Sequence, residues 1–335
     1  MYKQKLFIIL LFISANSFAQ KSSLKVADTF HIKSEGWWDY ILADTASNKL
    51  FVSHGTQVNV LDKTNGDSLG VIPGTLGVHG IALVHNLNKG FTSNGRLNNV
   101  FVFDLSTLAV TDSIPTGKNP DAIFYDNYSH KIITCNGGSE DISVIDPATN
   151  KVVATIDVKG KPETAVSDGE GKIFINNEDK SEIEVVDINT MKLINSWSIA
   201  PGESPSGLAI DRNTKRLFAG CDNKLLMIID ATNGKIIDKL PIGDGCDGTA
   251  FDPITKTAYS SNGEGTLTVI KEITKDKFEV VANVPTKRGA RTLTVDTKTH
   301  IIYSPTANFG KQESNEKRPP MIPGSFQVLM IKAVN

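Results

Sequence analysis

One sentence of this sequence is written again and again. An alternating apolar run closed by Asp appears as Val58-Asn59-Val60-Leu61-Asp62, Val100-Phe101-Val102-Phe103-Asp104 and Ile142-Ser143-Val144-Ile145-Asp146. It returns as Ile183-Glu184-Val185-Val186-Asp187 and Leu226-Met227-Ile228-Ile229-Asp230, so that the Asp residues stand 42, 42, 41 and 43 apart. A sixth copy, Leu267-Thr268-Val269-Ile270-Lys271, ends in Lys, and a seventh, Phe326-Gln327-Val328-Leu329-Met330, has also lost the Asp. A fixed period of this size marks a repeat architecture, in which one unit cannot bury its apolar face without its neighbours.

Each run has a strand ahead of it: Phe51-Val52-Ser53-His54, Phe91-Thr92-Ser93-Asn94, Ile133-Thr134-Cys135-Asn136 and Phe174-Ile175-Asn176-Asn177. The later copies are Phe218-Ala219-Gly220-Cys221, Tyr259-Ser260-Ser261-Asn262 and Tyr303-Ser304-Pro305-Thr306. A third strand precedes these and is closed by Asp44, Asp126, Asp168, Asp211, Asp252 or Asp296, with His85-Asn86 at that place in the second unit. No segment shows a helical period. Several short strands per repeat, separated by turn residues, predict an all-β fold: a seven-bladed β-propeller with four-stranded blades. The repeated Asp residues read as turn makers. Followed by Pro-Ala-Thr-Asn or Ala-Thr-Asn-Gly, an Asp bonds the backbone of its own turn.

The seventh unit supplies only three strands before Asn335. Left so, it would present an open sheet edge. The segment Leu24-Lys25-Val26-Ala27-Asp28-Thr29-Phe30-His31-Ile32 resembles the outer strands of the other units and leads straight into an inner strand. It is expected to complete the last blade and close the ring.

The first nineteen residues read as a signal peptide, leaving one propeller domain over 20–335. Lys3 and Lys5 give a positive start, Leu6 to Ile13 a short apolar run, and Ser17-Phe18-Ala19 the small residues of a cleavage site. That run is too short to span a membrane, which takes about 20 residues. The expected location is periplasmic or secreted. Without the leader the charge is 33 basic against 37 acidic residues, which gives no electrostatic reason to hold nucleic acid or an anionic membrane. A monomer is expected. Of Cys135, Cys221 and Cys246, the last two fall on one face, and a bridge between them is left open. Gly243-Asp244-Gly245-Cys246-Asp247-Gly248 fits the dinucleotide-binding spacing, but strands flank it on both sides, where the motif needs a helix.

The F/Y-x-S/N-N segments and the V-x-V-I-D runs resemble the YVTN-type β-propeller repeats of YncE-like exported bacterial proteins. The tail Arg318-Pro319-Pro320-Met321-Ile322-Pro323-Gly324-Ser325-Phe326-Gln327-Val328-Leu329 resembles the terminal stretch of that family. The resemblance covers 24–335 and implies a seven-bladed exported propeller. It implies no particular reaction. Cys221 and Thr306 stand where Asn is usual.

Where each outer strand turns into the next inner strand, one position falls five residues before the inner-strand Asp. It is occupied by Asp39, His79, Asp121, Glu163, Ser206, Asp247 and Arg291. These seven polar residues are expected to ring a solvated mouth of the central channel, with Trp38 as a flat apolar wall beside Trp37. His54, Asn94, Arg96, Asn136, Asn177 and Asn262 are expected to open on the same face. The ring is a candidate site for a small ligand or protein partner, and its carboxylates could supply a divalent cation such as calcium with oxygen ligands. The connection from Ala307 to Pro323, far longer than its counterparts, would sit over this face as a lid or a passive flap. No catalytic residue is assigned: G-x-S-x-G, H-E-x-x-H and the P-loop are all missing from the sequence. The reading is an exported binding or scaffold protein. The alternative is a metal-assisted hydrolase of the lactonase type, which shares the propeller architecture.

Overall fold

The computed structural model describes residues 23–312 and 319–334. The expected leader lies outside them. Seven four-stranded antiparallel sheets stand around a central channel. The first blade shows the order: inner strand Ile41–Ala43, then Lys49–His54, Gln57–Asp62 and the outer strand Ser68–Pro73. Two 3-10 turns, His85–Leu87 and Gly95–Leu97, interrupt the second blade's connections.

The middle strands carry near-continuous apolar runs because both of their faces are covered. Blades stack face to face, so the cores lie between blades. Phe51, Val60 and Ile72 of the first blade pack with Ile81 and Phe103 of the second in one such layer. Phe218, Leu226 and Ile228 of the fifth pack with Ala258, Ile270 and Phe278 of the sixth in another. Outer strands, covered less, return to the exposed alternation expected of a rim.

The last blade closes as expected. Its sheet is ordered Ser23–His31, Gln327–Val334, Ile301–Thr306, Thr294–Asp296 from outside in. The N-terminal strand runs antiparallel to the C-terminal one, from Ser23 opposite Val334 to His31 opposite Gln327, with a bulge between Val26 and Asp28.

The repeated Asp residues are turn makers. Asp62 accepts from the backbone N–H and hydroxyl of Thr64, Asp146 from the N–H of Ala148, and Asp187 from the N–H of Asn189. The inner-strand Asp residues do this and also tie blades together. Asp44 contacts His85 at 3.0 Å, Asp126 accepts from Ser167 at 2.6 Å, and Asp252 contacts His300 at 2.7 Å. His85, which breaks the Asp pattern in the second blade, therefore serves the same joint from the other side.

Cys135, Cys221 and Cys246 are free thiols, all buried, so the bridge left open above does not form. Burial pushes the Cys221 thiol up to about 12 and that of Cys246 to about 11, and neither is poised as a thiolate at neutral pH.

Candidate functional site

The expected ring assembles, and its members pair with one another. Ser206 donates to Asp247 at 2.5 Å, and Arg291 Nε donates to the other oxygen of Asp247. Arg291 Nη2 stands 3.7 Å from Asp39. His79 Nδ1 lies 2.6 Å from Asp39 Oδ2 and 3.5 Å from Asp121 Oδ1. Six blades are thus linked by contacts around the mouth. In the remaining one, Glu163 Oε2 lies 3.2 Å from Lys161 Nζ, which also pairs with Glu178.

The ring is less solvated than the sequence suggests. Asp121 is 6% exposed. Its Oδ1 and Glu163 Oε2 are buried with no hydrogen bond, only the ion pairs just given. Burial raises the Asp121 carboxyl to about 7, against the nearby His79 charge and with help from Asp39 and Asp247. Burial, then the charge of Asp121, raises Glu163 well above the usual carboxylate range. For His79 burial opposes the charged form, but the hydrogen bond to Asp39 and the charges of Asp121, Asp39 and Glu163 prevail and lift it to about 9. Three ligand atoms, one each from Asp39, His79 and Asp121, lie within 4.8 Å of one another. Among the described residues, these are the ones placed to hold a metal ion.

Trp38 is not the open wall expected. It is 2% exposed, stacked on Trp37 at 5.9 Å and packed against Phe326 at 5.3 Å and Phe309 at 6.2 Å. It reaches the site only through Arg291, whose guanidinium lies 5.9 Å from its ring and donates to its carbonyl. Trp37 is the exposed partner. Of the expected loop residues Arg96 is exposed, and the others are buried inside their blades. Asn136 donates to Asp141 and Ser143, Asn177 to Val158 and Glu184, and Asn262 to Thr266 and Thr268. All three are fully buried, as are His54 and Asn94. The described ends of the long connection are fastened down. Gly310 N donates to Pro320 O, Ile322 N to Asn308 O, and Phe309 sits on the Trp37–Trp38 pair.

Tyr40 was missed by sequence reasoning. It belongs to the first blade, yet its hydroxyl meets Thr164 of the fourth at 3.0 Å, so it crosses the channel just beneath the ring. Burial, then the charges of Asp121, Glu163 and Asp39, push its hydroxyl well above its ordinary range. A signal existed. The same row in the other blades reads Gly80, Ala122, Thr164, Gly207, Gly248 and Thr292, all small, and Tyr40 is its one bulky side chain. A cavity of about 150 Å³ remains there, lined by Tyr40, Gly80, Ala122 and Thr164 among others. Two wider clefts, of about 510 and 630 Å³, open at the opposite mouth around Phe124, Phe251, Leu42 and His85. No Ser–His pair forms in the ring, since Ser206 turns to Asp247 and His79 to Asp39.

No protein-family model matches the chain. Antigen Lp49 of Leptospira interrogans serogroup Icterohaemorrhagiae serovar copenhageni is 27% identical over 185 residues, which are 52% of this chain and 40% of the antigen. The chain thus spans well under half of that protein. Among solved structures, Kuenenia stuttgartiensis hydrazine synthase superposes with a TM-score of 0.72 at 17% identity, over 82% of this chain and 94% of that one. The WD40 repeats of RRP9 give 0.76 at 10% identity, covering 92% and 98%. U3-55K gives 0.75 at 10% identity, covering 92% and 99%. The likeness is one of fold: a β-propeller repeat protein. Among the described residues no helix is long and apolar enough to cross a membrane.

Proposed function

We propose that this chain is an exported, YVTN-type propeller that binds a cationic group at its channel mouth, as a binding or scaffold protein. The observation that carries the reading is the excess of carboxyl groups over basic groups in the ring, which burial pushes toward holding protons that a bound cation would displace. Asp39, Asp121, Glu163, Asp247 and Glu178 face only His79, Arg291 and Lys161, and two of the carboxylate oxygens are buried without a hydrogen bond. A buried, unmatched carboxylate is costly and either takes up a proton or is completed by a cation. The reading of export rests on the Lys3–Ala19 pattern. The alternative, a metal-assisted hydrolase, would take its nucleophile from a metal-bound water at the same carboxylates; no sequence motif favours it, and it ranks second.

The test is a thermal-shift and calorimetric comparison of wild type with the Asp121→Asn/Glu163→Gln double variant. Calcium, zinc and a lysine-rich peptide are the probes. The reading requires that at least one probe raise the melting temperature of wild type and that the double variant lose most of that rise. No shift with any probe, or the same shift in the double variant, overturns it.

A further inference from the structure

We infer that Asp39, His79 and Asp121 form a site for one divalent transition-metal ion, of the zinc or manganese class, at the channel mouth. This rests on the cation-binding reading above and narrows the cation to one that accepts nitrogen. The geometry comes first. Ligands about 2.0–2.2 Å from a zinc ion stand about 3.4 Å apart in a tetrahedron. Asp121 Oδ1 and His79 Nδ1 are already 3.5 Å apart. Asp39 Oδ2, at 2.6 Å from the same nitrogen, needs only a small side-chain rotation to open to that distance. The imidazole then gives its Nδ1 lone pair to the ion, and the proton now on that atom leaves to solvent.

A second observation is independent of this clustering. Asp121 is 6% exposed, and its Oδ1, the atom aimed at His79, has no hydrogen-bond partner. An acceptor so deeply placed, with no hydrogen bond and only the 3.5 Å ion pair to His79, is one that a bound ion would complete. The scaffold is also built to hold these three groups still. The Asp39 N–H donates to Ser53 Oγ at 3.1 Å, and its carbonyl accepts from Thr292 at 2.7 Å. Ser93 Oγ accepts from the N–H of Gly80, the residue after His79, and donates to the carbonyl of Asp121. One hydroxyl thus pins two ligand-bearing blades in register. The imidazole stands where Gly95 leaves room: a Cβ there would lie 2.7 Å from His79 Nε2.

The donor set chooses the ion. One imidazole nitrogen with two carboxylates suits zinc or manganese. Calcium asks for six to eight oxygens at about 2.3–2.6 Å and gains nothing from the nitrogen.

The untagged full chain, stripped with a chelator, is titrated with zinc and separately with calcium by calorimetry. Cobalt is followed by its visible absorption. The expected result is one equivalent of zinc per chain, and cobalt bands typical of nitrogen–oxygen coordination. His79→Gln and Asp39→Asn should each weaken zinc binding about 100-fold, measured below the melting range of each variant. Gly95→Ala, which removes no ligand, should weaken it about 10-fold by displacing the ring. A Cys135→Ser/Cys221→Ser/Cys246→Ser variant should bind as wild type does. No zinc at one equivalent, or zinc binding unchanged in His79→Gln, overturns the inference. Calcium binding that is lost in Asp121→Asn but untouched by His79→Gln also overturns it, while leaving the cation-binding reading intact.

Discussion

His54 shows how a residue can sit at the right place in the sequence and face the wrong way. It ends a second strand, one step from the ring face, which invites a place for it in the site. Its ring instead lies flat on Phe326 at 3.7 Å, with Ser34 Oγ at 2.6 Å from Nδ1 and the Gly36 carbonyl at 2.7 Å from Nε2. These partners fix a neutral imidazole that donates from Nε2 and accepts at Nδ1. Side-chain direction alternates along a strand, and counting from its end does not say which sheet face a residue meets. The Asn residues of the repeat were misplaced for the same reason; Asn94, Asn136, Asn177 and Asn262 staple the second strand to the third inside their own blades. Burial holds His54 down to about 4, against the Gly36 hydrogen bond, which favours the charged form. In the unfolded chain it titrates near 6.5. Between these values the unfolded state binds a proton that the folded state refuses. The stability that His54 contributes is therefore present above about pH 6.5 and lost as pH falls toward 4, up to about 3 kcal/mol. Glu272, raised to about 7 mainly by burial, acts in the opposite sense as pH rises, so the wild-type curve alone does not isolate His54. Urea unfolding of wild type and His54→Gln from pH 7.5 to 4 does. The variant should be weaker at pH 7, and the gap should narrow toward pH 4. A gap independent of pH would show that His54 titrates normally.

At the scale of the element, the strand Ser23–His31 was legible because the repeat made its absence elsewhere visible: seven units, one of them a strand short, and one spare strand. Phe30 is buried there, 6.3 Å from Tyr303, and Leu24 and Val26 pack against the core between the sixth and seventh blades. Removing residues 20–31 strips these side chains and bares the edge of Gln327–Val334. Losing a buried Phe alone costs about 1.5–3 kcal/mol, and an open edge pairs with other chains. The truncated protein should melt well below the chain that starts at residue 20 and should show concentration-dependent association in sedimentation. Equal melting and a monomeric profile would mean that the closure carries no weight. The Tyr40 row shows the limit of the same reasoning. Six small residues aligned in one row were readable as a narrow place. That the seventh side chain would cross to the fourth blade depends on the channel width, which no repeat pattern encodes.

For the whole molecule, the sequence carries the ring's convergence but not its internal pairing. Seven positions drawn from across the chain meet at one mouth because the period brings each blade round to the same height. Which of them bond to each other depends on distances of a few tenths of an ångström between blades, and these follow from packing. Ring closure is nonetheless testable by topology alone. Val334 and Ser23 face each other across an antiparallel pair, so a two-residue turn can join them. The joined chain can then be opened elsewhere. Opened in the turn between Asp62 and Ser68, it leaves the outer strand Ser68–Pro73 at the new N-terminus and the three inner strands of that blade at the new C-terminus. That arrangement repeats the native one in the first blade. Opened instead between Pro73 and Val78, at a blade boundary, no blade is shared between the two ends. Contacts between whole blades, such as Phe51 on Phe103 at 6.0 Å, the Asp39–His79 and Asp44–His85 pairs and the Tyr40 N–H to His79 O bond, then hold the first blade to the second with no shared sheet. The first permutant should melt within a few degrees of the parent. The second should melt distinctly lower, because opening that seam breaks no strand pairing and so meets a smaller barrier. Equal melting of the two would show that the interblade cores close the ring without the shared sheet.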